Sequence, residues 1–466
     1  MTSSKLGRYC DHFIEAGWLL AVIIAPLVFN VYSSRSIEPD KIALVRALAA
    51  LMAAAWLIQW IDRRRAASST SASSLRQPLM APTLALIAVN LLATLTSLAP
   101  DISVFGEYVR PEGFHTLLAY ALIFWLATRG LRTRPQLDRL INTLVLASLP
   151  VAAYSLLQKL QLDPMTWTGD MSTRVGASLG NPIFLGAYLI MVFCLTIGLL
   201  TSLIRSGQRQ PARIVVVSAL AVLQAAAIVF AGSRGPWVGW LAGLSLFALL
   251  SAVVTRHPRA IWLVLGICGG SAIVIGLLNI PNTPLEPIRS LPTIGALGHL
   301  FEGESGTGQV RTLTWQGNAQ LVFGRTPVVD LDGATDRFDA LRPFIGYGPD
   351  TMYLAFSQIT PPELAAMTGH NALSDRSHNE TWDTVLNTGV AGLIVYQWLF
   401  VSLFLFGLRR LELVTTRHQR NEFIALWIGL GVSGAVATLL LNQAKYFGLA
   451  LPIGNVDVGG TIGSYF

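Results

Sequence analysis

Residues 182–204 read PIFLGAYLIMVFCLTIGLLTSLI and contain no charged side chain. A helix of roughly twenty apolar residues rises about 30 Å, the thickness of a bilayer's hydrocarbon core. Comparable stretches precede it at 15–33, 42–61, 79–99, 113–128 and 137–158, and follow it at 213–231, 236–254, 260–279, 389–408 and 421–441. The expected fold is therefore an all-α polytopic membrane protein of about eleven transmembrane helices, with one large connection before the tenth.

Composition agrees. Of 466 residues, 53% are hydrophobic and only 13% charged, and the mean hydropathy is +0.54, a combination foreign to soluble domains of this length. The first apolar stretch is followed by no small-residue cleavage site and leads directly into a second, so it reads as a retained span and not a signal peptide. Cys194 and Cys268 lie inside apolar runs and Cys10 in the N-terminal tail, which leaves neither a disulfide framework nor a cysteine metal site. The net charge of +7 is spread in short clusters between apolar runs and forms no single patch, so nucleic acid is excluded as a partner.

Those clusters fix an expected orientation. Lys5 and Arg8 begin one face, joined by Arg63, Arg64, Arg65 and Arg76, by Arg129, Arg132, Arg134 and Arg139, and by Arg205, Arg209 and Arg213. Arg256 and Arg259, then Arg409, Arg410, Arg417 and Arg420, complete it. Basic connections stay cytoplasmic, so the N-terminus is expected inside, with Glu107, Asp170, Arg234 and residues 280–388 outside. The expected organisation is helices one to nine over 1–279, an extracytoplasmic loop domain over 280–388, helices ten and eleven over 389–441, and an extracytoplasmic segment over 442–466. That last segment is Gly-rich and broken, as if the chain stopped short of a twelfth helix. The Ser/Ala run at 66–74 reads as a flexible connection, and no inverted repeat of the transporter kind is found.

A connection of about a hundred residues is usually functional or disordered, and this one is not low-complexity. QVRTLTWQGNAQLVF (309–323) suits a helix with Val310, Leu313, Gly317 and Leu321 on one face, and GYGPD (346–350) suits a turn. In SDRSHNETWDTVLNTGVAGL (374–393), Ser377 and Glu380 have capping-box spacing, which would start a helix at His378. His378 would then share a face with Trp382, Val385, Leu386 and Gly389. A helix N-terminus favours anions and disfavours protonation of imidazole, so a neutral His beside a phosphate could act as a general base. The other reading of His378 is a polar cap residue at the membrane surface.

Arg234 lies in AGSRGPWVGW (231–240), between two apolar stretches. Buried at the bilayer centre an arginine costs roughly 2.5 to 3.5 kcal/mol, so it faces water, a partner or a ligand, or it snorkels to headgroups. Arg311 is one of six arginines in the loop and can be structural, and GEYVRPEGF (106–114) places Glu107, Arg110 and Glu112 in another outer turn, where they can form an internal ion pair. Guanidinium groups donate paired hydrogen bonds to phosphate oxygens and suit a diphosphate. Asp330 and Asp332 in VVDLDGATD (328–336) are the nearest approach to a carboxylate pair and read as an ordinary turn, so no metal is signalled.

SHNETWDTVLNTGVAGL, with a Gly eleven residues after the His, resembles the signature of the O-antigen ligase and O-antigen polymerase superfamily. GASLGNPIFLGAYL resembles that family's Gly-Asn-Pro opening of a span, AGSRGPWVGW its Ser-Arg-Gly turn, VRTLTWQGNAQL its loop helix, and GYGPDTMYLAF its glycine turn. Together these motifs run in the family's order from Gly176 to Gly392. The resemblance implies a GT-C-like membrane glycosyltransferase in a bacterial cytoplasmic (inner) membrane, using an undecaprenyl diphosphate-linked glycan donor and a glycan, lipid or protein acceptor. It implies no cofactor. By the same resemblance His378 corresponds to the essential histidine, Arg311 and Arg234 to the diphosphate-binding arginines, and Arg110, Asn379 and Glu380 to possible support. His370 also precedes an Asn but lacks the downstream Gly. Relatives usually have a further span and an inside C-terminus, and this chain departs from that pattern.

A transporter or flippase of a lipid-linked sugar is the alternative. It does not need the large loop, and mid-span ionisable residues and paired broken helices are not evident in the sequence. A structural scaffold for polysaccharide assembly is a third reading, and it would tolerate loss of His378.

Overall fold

The computed structural model describes residues 4–446 except 31, 33–36, 66–78, 166, 168–170, 208–209, 281–282, 290–293, 300–306, 325–326, 330–332 and 369–373. The 66–74 run, Arg76, Asp170, Arg209, Asp330, Asp332, His370 and the stretch 447–466 therefore lie outside the described residues. The helices in chain order are α1 (Lys5–Leu27), α2 (Glu38–Arg65), α3 (Met80–Leu95), α4 (Pro100–Phe105), α5 (Phe114–Gly130) and α6 (Arg134–Lys159). Then come α7 (Pro182–Arg205), α8 (Pro211–Phe230), α9 (Arg234–Val254), α10 (Pro258–Leu278) and α11 (Glu286–Arg289). The series closes with α12 (Thr307–Phe323), α13 (Arg342–Ile345), α14 (Met352–Ser357), α15 (Pro362–Thr368), α16 (Glu380–Arg410) and α17 (Arg417–Tyr446).

Among the described residues, eight helices are long and apolar enough to cross a membrane: α1, α2, α6 to α10 and α16. The chain is an all-helical, multi-pass membrane protein. The other three expected stretches are helical too, falling on α3, α5 and α17. At 16 residues α3 is shorter than the stretch 79–99, at whose end Pro100 keeps Ala99 extended and opens a separate short helix. The segment expected to be broken from 442 onward is helical as far as Tyr446.

Two compact units divide the chain. The first comprises residues 1–69 and 122–298. Its core is built by Val151 of α6, Leu185, Leu189 and Phe193 of α7, Ile228 of α8 and Trp237 of α9. Glycines let helices approach closely, Gly17 of α1 against Met52 of α2 and Gly186 of α7 against Pro236 of α9, as is usual where lipid removes the hydrophobic drive between helices. Buried polar groups pair across helices: Gln224 donates to the Ser148 hydroxyl at 2.7 Å. Outward-facing residues are apolar, Trp262 being 74% exposed and Val222 70%, a surface that suits lipid and not water.

The second unit comprises residues 70–121 and 299–466, so that α5 begins in it and ends in the first. Its core joins Leu98, Leu321 and Val322 of α12, Tyr347, Met352 and Phe356 of α14, Leu364 of α15, and Val385 and Leu386 of α16. The expected loop helix is α12, and its expected apolar face holds: Val310, Leu313 and Leu321 pack on that core while Gly317 lies against the Phe356 ring.

α16 is two helices. Gly389 has φ 69° and ψ −174°, outside any helical region, and breaks it. Glu380 and Tyr396 nevertheless share a hydrogen bond, although a straight helix would hold residues so spaced about 24 Å apart. The two segments therefore fold back sharply on one another. The carbonyls freed at the bend are taken up by the glycine turn, since Tyr347 N donates to Leu386 O at 2.7 Å and Gly348 N to Asn387 O at 3.2 Å. Gly346, at φ 75°, makes that approach possible, because a Cβ there would lie 2.4 Å from Thr388 N.

Candidate functional site

The expected capping box is corrected by the structure. α16 starts at Glu380, and its N-cap is Asn379, whose side-chain oxygen accepts from Thr381 N at 3.0 Å and Trp382 N at 3.3 Å. His378 is not in the first turn. It precedes the cap with φ 53°, a left-handed conformation that His adopts more readily than most residues, and its exposed side chain does not share the face of Val385 and Leu386.

Ser377 is not the cap because its polar groups are engaged elsewhere. Its N–H donates to Asp383 Oδ1 at 2.8 Å, its carbonyl accepts from Trp315 Nε1 at 2.8 Å, and its hydroxyl accepts from Asn318 Nδ2 at 2.9 Å. The same hydroxyl donates to Met352 Sδ at 3.4 Å. Both neighbours of His378 are thus pinned, Ser377 by α12, α14 and α16 and Asn379 by its cap. The imidazole is presented from a fixed backbone.

Its surroundings are charged. Its pKa is lowered from the ordinary 6.5, first by desolvation and then by the positive charges of Arg311 and Arg110, against the opposing pull of Asp375 and Asp383. Water reaches the ring, yet protein surrounds it, as for a residue lining a cleft. The imidazole is accordingly neutral at neutral pH and able to accept a proton. Arg311 is half-buried on α12 and makes no ion pair with any described residue. Arg110 lies 3.3 Å from Asp375.

A second layer stands behind these groups. Arg376 pairs with Glu112 and, at 3.4 Å, with Asp350. Asp350 also accepts from Glu112 N at 2.7 Å and Glu107 N at 3.4 Å. Burial outweighs these partners and pushes its carboxyl up to about 7, whereas the two carboxylates hold the Arg376 guanidinium firmly protonated. The exposed Glu112 carries the larger share of the charge that balances Arg376, since the buried Asp350 is only partly ionised near neutrality. So the charges of the 106–114 turn pair with the segment ahead of α16.

His378, Arg311, Arg110, Asn379 and Glu380 are therefore gathered in the second unit around the start of α16. Asn379 is a helix cap, and Glu380 is bound to the Tyr396 hydroxyl. Arg234 belongs to the first unit, where it is the exposed first residue of α9, directly after an N-cap Ser233 that accepts from Arg174 Nη2 at 2.8 Å. Sequence reasoning missed Asp350, Asp375, Arg376 and Asp383. The signal for two of them was present in the charges flanking the histidine in SDRSHN. Among the described residues no group of three or more His, Cys, Asp or Glu side chains is assembled to hold a metal ion. The chain matches no protein-family model, no curated protein and no solved structure.

Proposed function

We propose that this protein is a membrane glycosyltransferase that moves or polymerises a saccharide from an undecaprenyl diphosphate carrier, in the manner of the O-antigen ligases and polymerases its motifs resemble. The observation that carries the reading is a neutral imidazole on a pinned backbone beside Arg311, an arginine without an ion pair among the described residues. In this reading an acceptor hydroxyl attacks the anomeric carbon, His378 takes its proton, and the bond from that carbon to the diphosphate oxygen breaks. Arg311 holds the departing diphosphate by charge and hydrogen bonds. The motif resemblance alone assigns Arg234, of the first unit, to the diphosphate as well, and Arg110 supports the imidazole's neutrality. A single displacement inverts the anomeric centre.

The full reading adds a GT-C-like membrane domain of eleven spans, a cytoplasmic N-terminus and an extracytoplasmic loop over 280–388 in a bacterial inner membrane. The donor arrives already activated, so no nucleotide is required outside the cytoplasm. Purified full-length protein and His378→Ala are to be given a defined undecaprenyl diphosphate-linked glycan with lipid A core, a second donor molecule or a peptide as acceptor. Wild-type extension of one acceptor, abolished in the variant, supports the reading and names the subclass. Equal activity in both removes the role given to His378. If neither acts but lipid-linked sugar crosses vesicles containing the protein, a flippase replaces the transferase.

A further inference from the structure

In the first unit a cavity of about 330 Å³ opens where the start of α1, the end of α2, the end of α5 and the start of α6 meet. Small-ligand sites fall in the range of about 300–1,000 Å³. Four arginines line it, Arg8, Arg129, Arg132 and Arg139, against two carboxylates, Asp11 and Glu15. Both carboxylates are already engaged. Glu15 accepts from Arg139 Nε at 2.8 Å and from Gln136 Nε2 at 2.9 Å, and Asp11 accepts from Gln59 Nε2 at 2.6 Å with Arg63 at 3.9 Å. That leaves Arg8, Arg129 and Arg132 with no ion pair among the described residues. Arg129 also lies in the fields of Arg63 and Arg132, which that of Asp11 opposes, so two like charges face one carboxylate here.

An independent observation points the same way. Trp18, another lining residue, is only 2% exposed, and its indole N–H has no hydrogen-bond partner among the described residues. That nitrogen faces Gly130, which also lines the cavity: a Cβ placed there would stand 3.7 Å from it. A buried donor without an acceptor is destabilising. An anionic oxygen would satisfy it and offset the surplus of guanidinium charge together.

We infer that this cavity is a binding site for a phosphate group, supplied by the headgroup of an anionic phospholipid. Phosphate fits because guanidinium groups and an indole N–H are all donors, with no acceptor left over among the arginines. A lipid source fits because the cavity lies at the ends of apolar helices, at the level where Trp residues gather, and Trp18 and Trp56 both line it. The site involves none of the residues given a role in glycan transfer.

The test is native mass spectrometry of the purified full-length protein titrated with phosphatidylglycerol and with phosphatidylcholine of the same chains, each with and without inorganic phosphate. Wild type is expected to hold phosphatidylglycerol about tenfold more tightly than phosphatidylcholine, and Arg129→Gln/Arg132→Gln to lose about that factor, in line with the attraction of single basic residues to anionic lipid. Trp18→Phe should weaken binding several-fold, and Arg256→Gln/Arg259→Gln should leave it unchanged. If the double variant fails to fold, Arg8→Gln/Arg132→Gln, two exposed positions, and Trp18→Phe carry the same comparison. Equal binding of the two lipids, or wild-type binding by the variants, overturns the site. Binding of inorganic phosphate alone that excludes the lipid, with the same loss in the variants, overturns the lipid source and keeps the phosphate site.

Discussion

Gly389→Ala should unfold the protein at a lower temperature, whereas Gly407→Ala in the same helix should not. At Gly389 the backbone holds φ 69° and ψ −174°, a region essentially closed to residues with a Cβ, at a cost of about 1–3 kcal/mol. The added methyl would also stand 2.1 Å from Phe344 C, 2.2 Å from Phe344 O and 2.4 Å from Ile345 N. These are backbone atoms of α13 and cannot swing aside, so relief requires moving α13, at about another 1–3 kcal/mol. At Gly407 nothing lies within 4 Å, and alanine there gains up to about 1 kcal/mol of helix propensity. The two variants should differ by about 2–7 kcal/mol. Thermal unfolding in detergent followed by circular dichroism reads the difference directly. Gly407→Ala should melt at or above wild type, and Gly389→Ala several degrees below. A Gly389→Ala protein as stable as wild type would refute both the bend and the claim that it seats the glycine turn.

Asp336→Ala should cost about 3–5 kcal/mol in the same melt, because it leaves the buried Arg342, bonded to Asp336 at 2.5 and 2.8 Å, without a counter-charge, while the paired apolar replacement Asp336→Leu/Arg342→Met should lose far less. Ser377→Ala should cost about 1–3 kcal/mol by orphaning the fully buried Asn318 amide, and should lower transfer more than a surface substitution of equal stability does. In the pH profile of kcat/KM, transfer should fall only below the ordinary imidazole value of 6.5, since the folded pKa of His378 is depressed; Arg311→Gln should shift that acid limb to higher pH and Asp375→Asn to lower pH, and shifts of the same sign would contradict the charge assignment. The Asp350 carboxyl is raised, so its contribution is complete below its unfolded value of about 4 and is lost as pH climbs through about 7; Asp350→Asn should flatten that decline in a series of melts.

The membrane helices were legible because their signal is local: a stretch such as 182–204 carries its length and apolarity within itself, and the structure returns a helix at every expected stretch. The start of α16 was not, although both candidate caps were visible. Ser377 and Asn379 are equally good N-cap residues, and the choice is made by Trp315, Asn318 and Asp383, which occupy Ser377 and leave Asn379 for the helix. Those partners come from other elements, and no pattern within 374–393 contains them. The same holds for Arg376 and Glu112, which pair across 264 residues of sequence. The consequence for the histidine is specific. Sequence reasoning expected a helix N-terminus to hold the imidazole neutral, but a residue ahead of the cap with φ 53° is not part of that helix. Desolvation by the surrounding protein and the two arginines do it instead. The difference is chemical as well as geometric, for a helix dipole is fixed, whereas Arg311 is a side chain that, in the proposed reaction, a bound diphosphate would neutralise. Donor binding would then let the imidazole's pKa rise, making it a better proton acceptor only once the leaving group is in place.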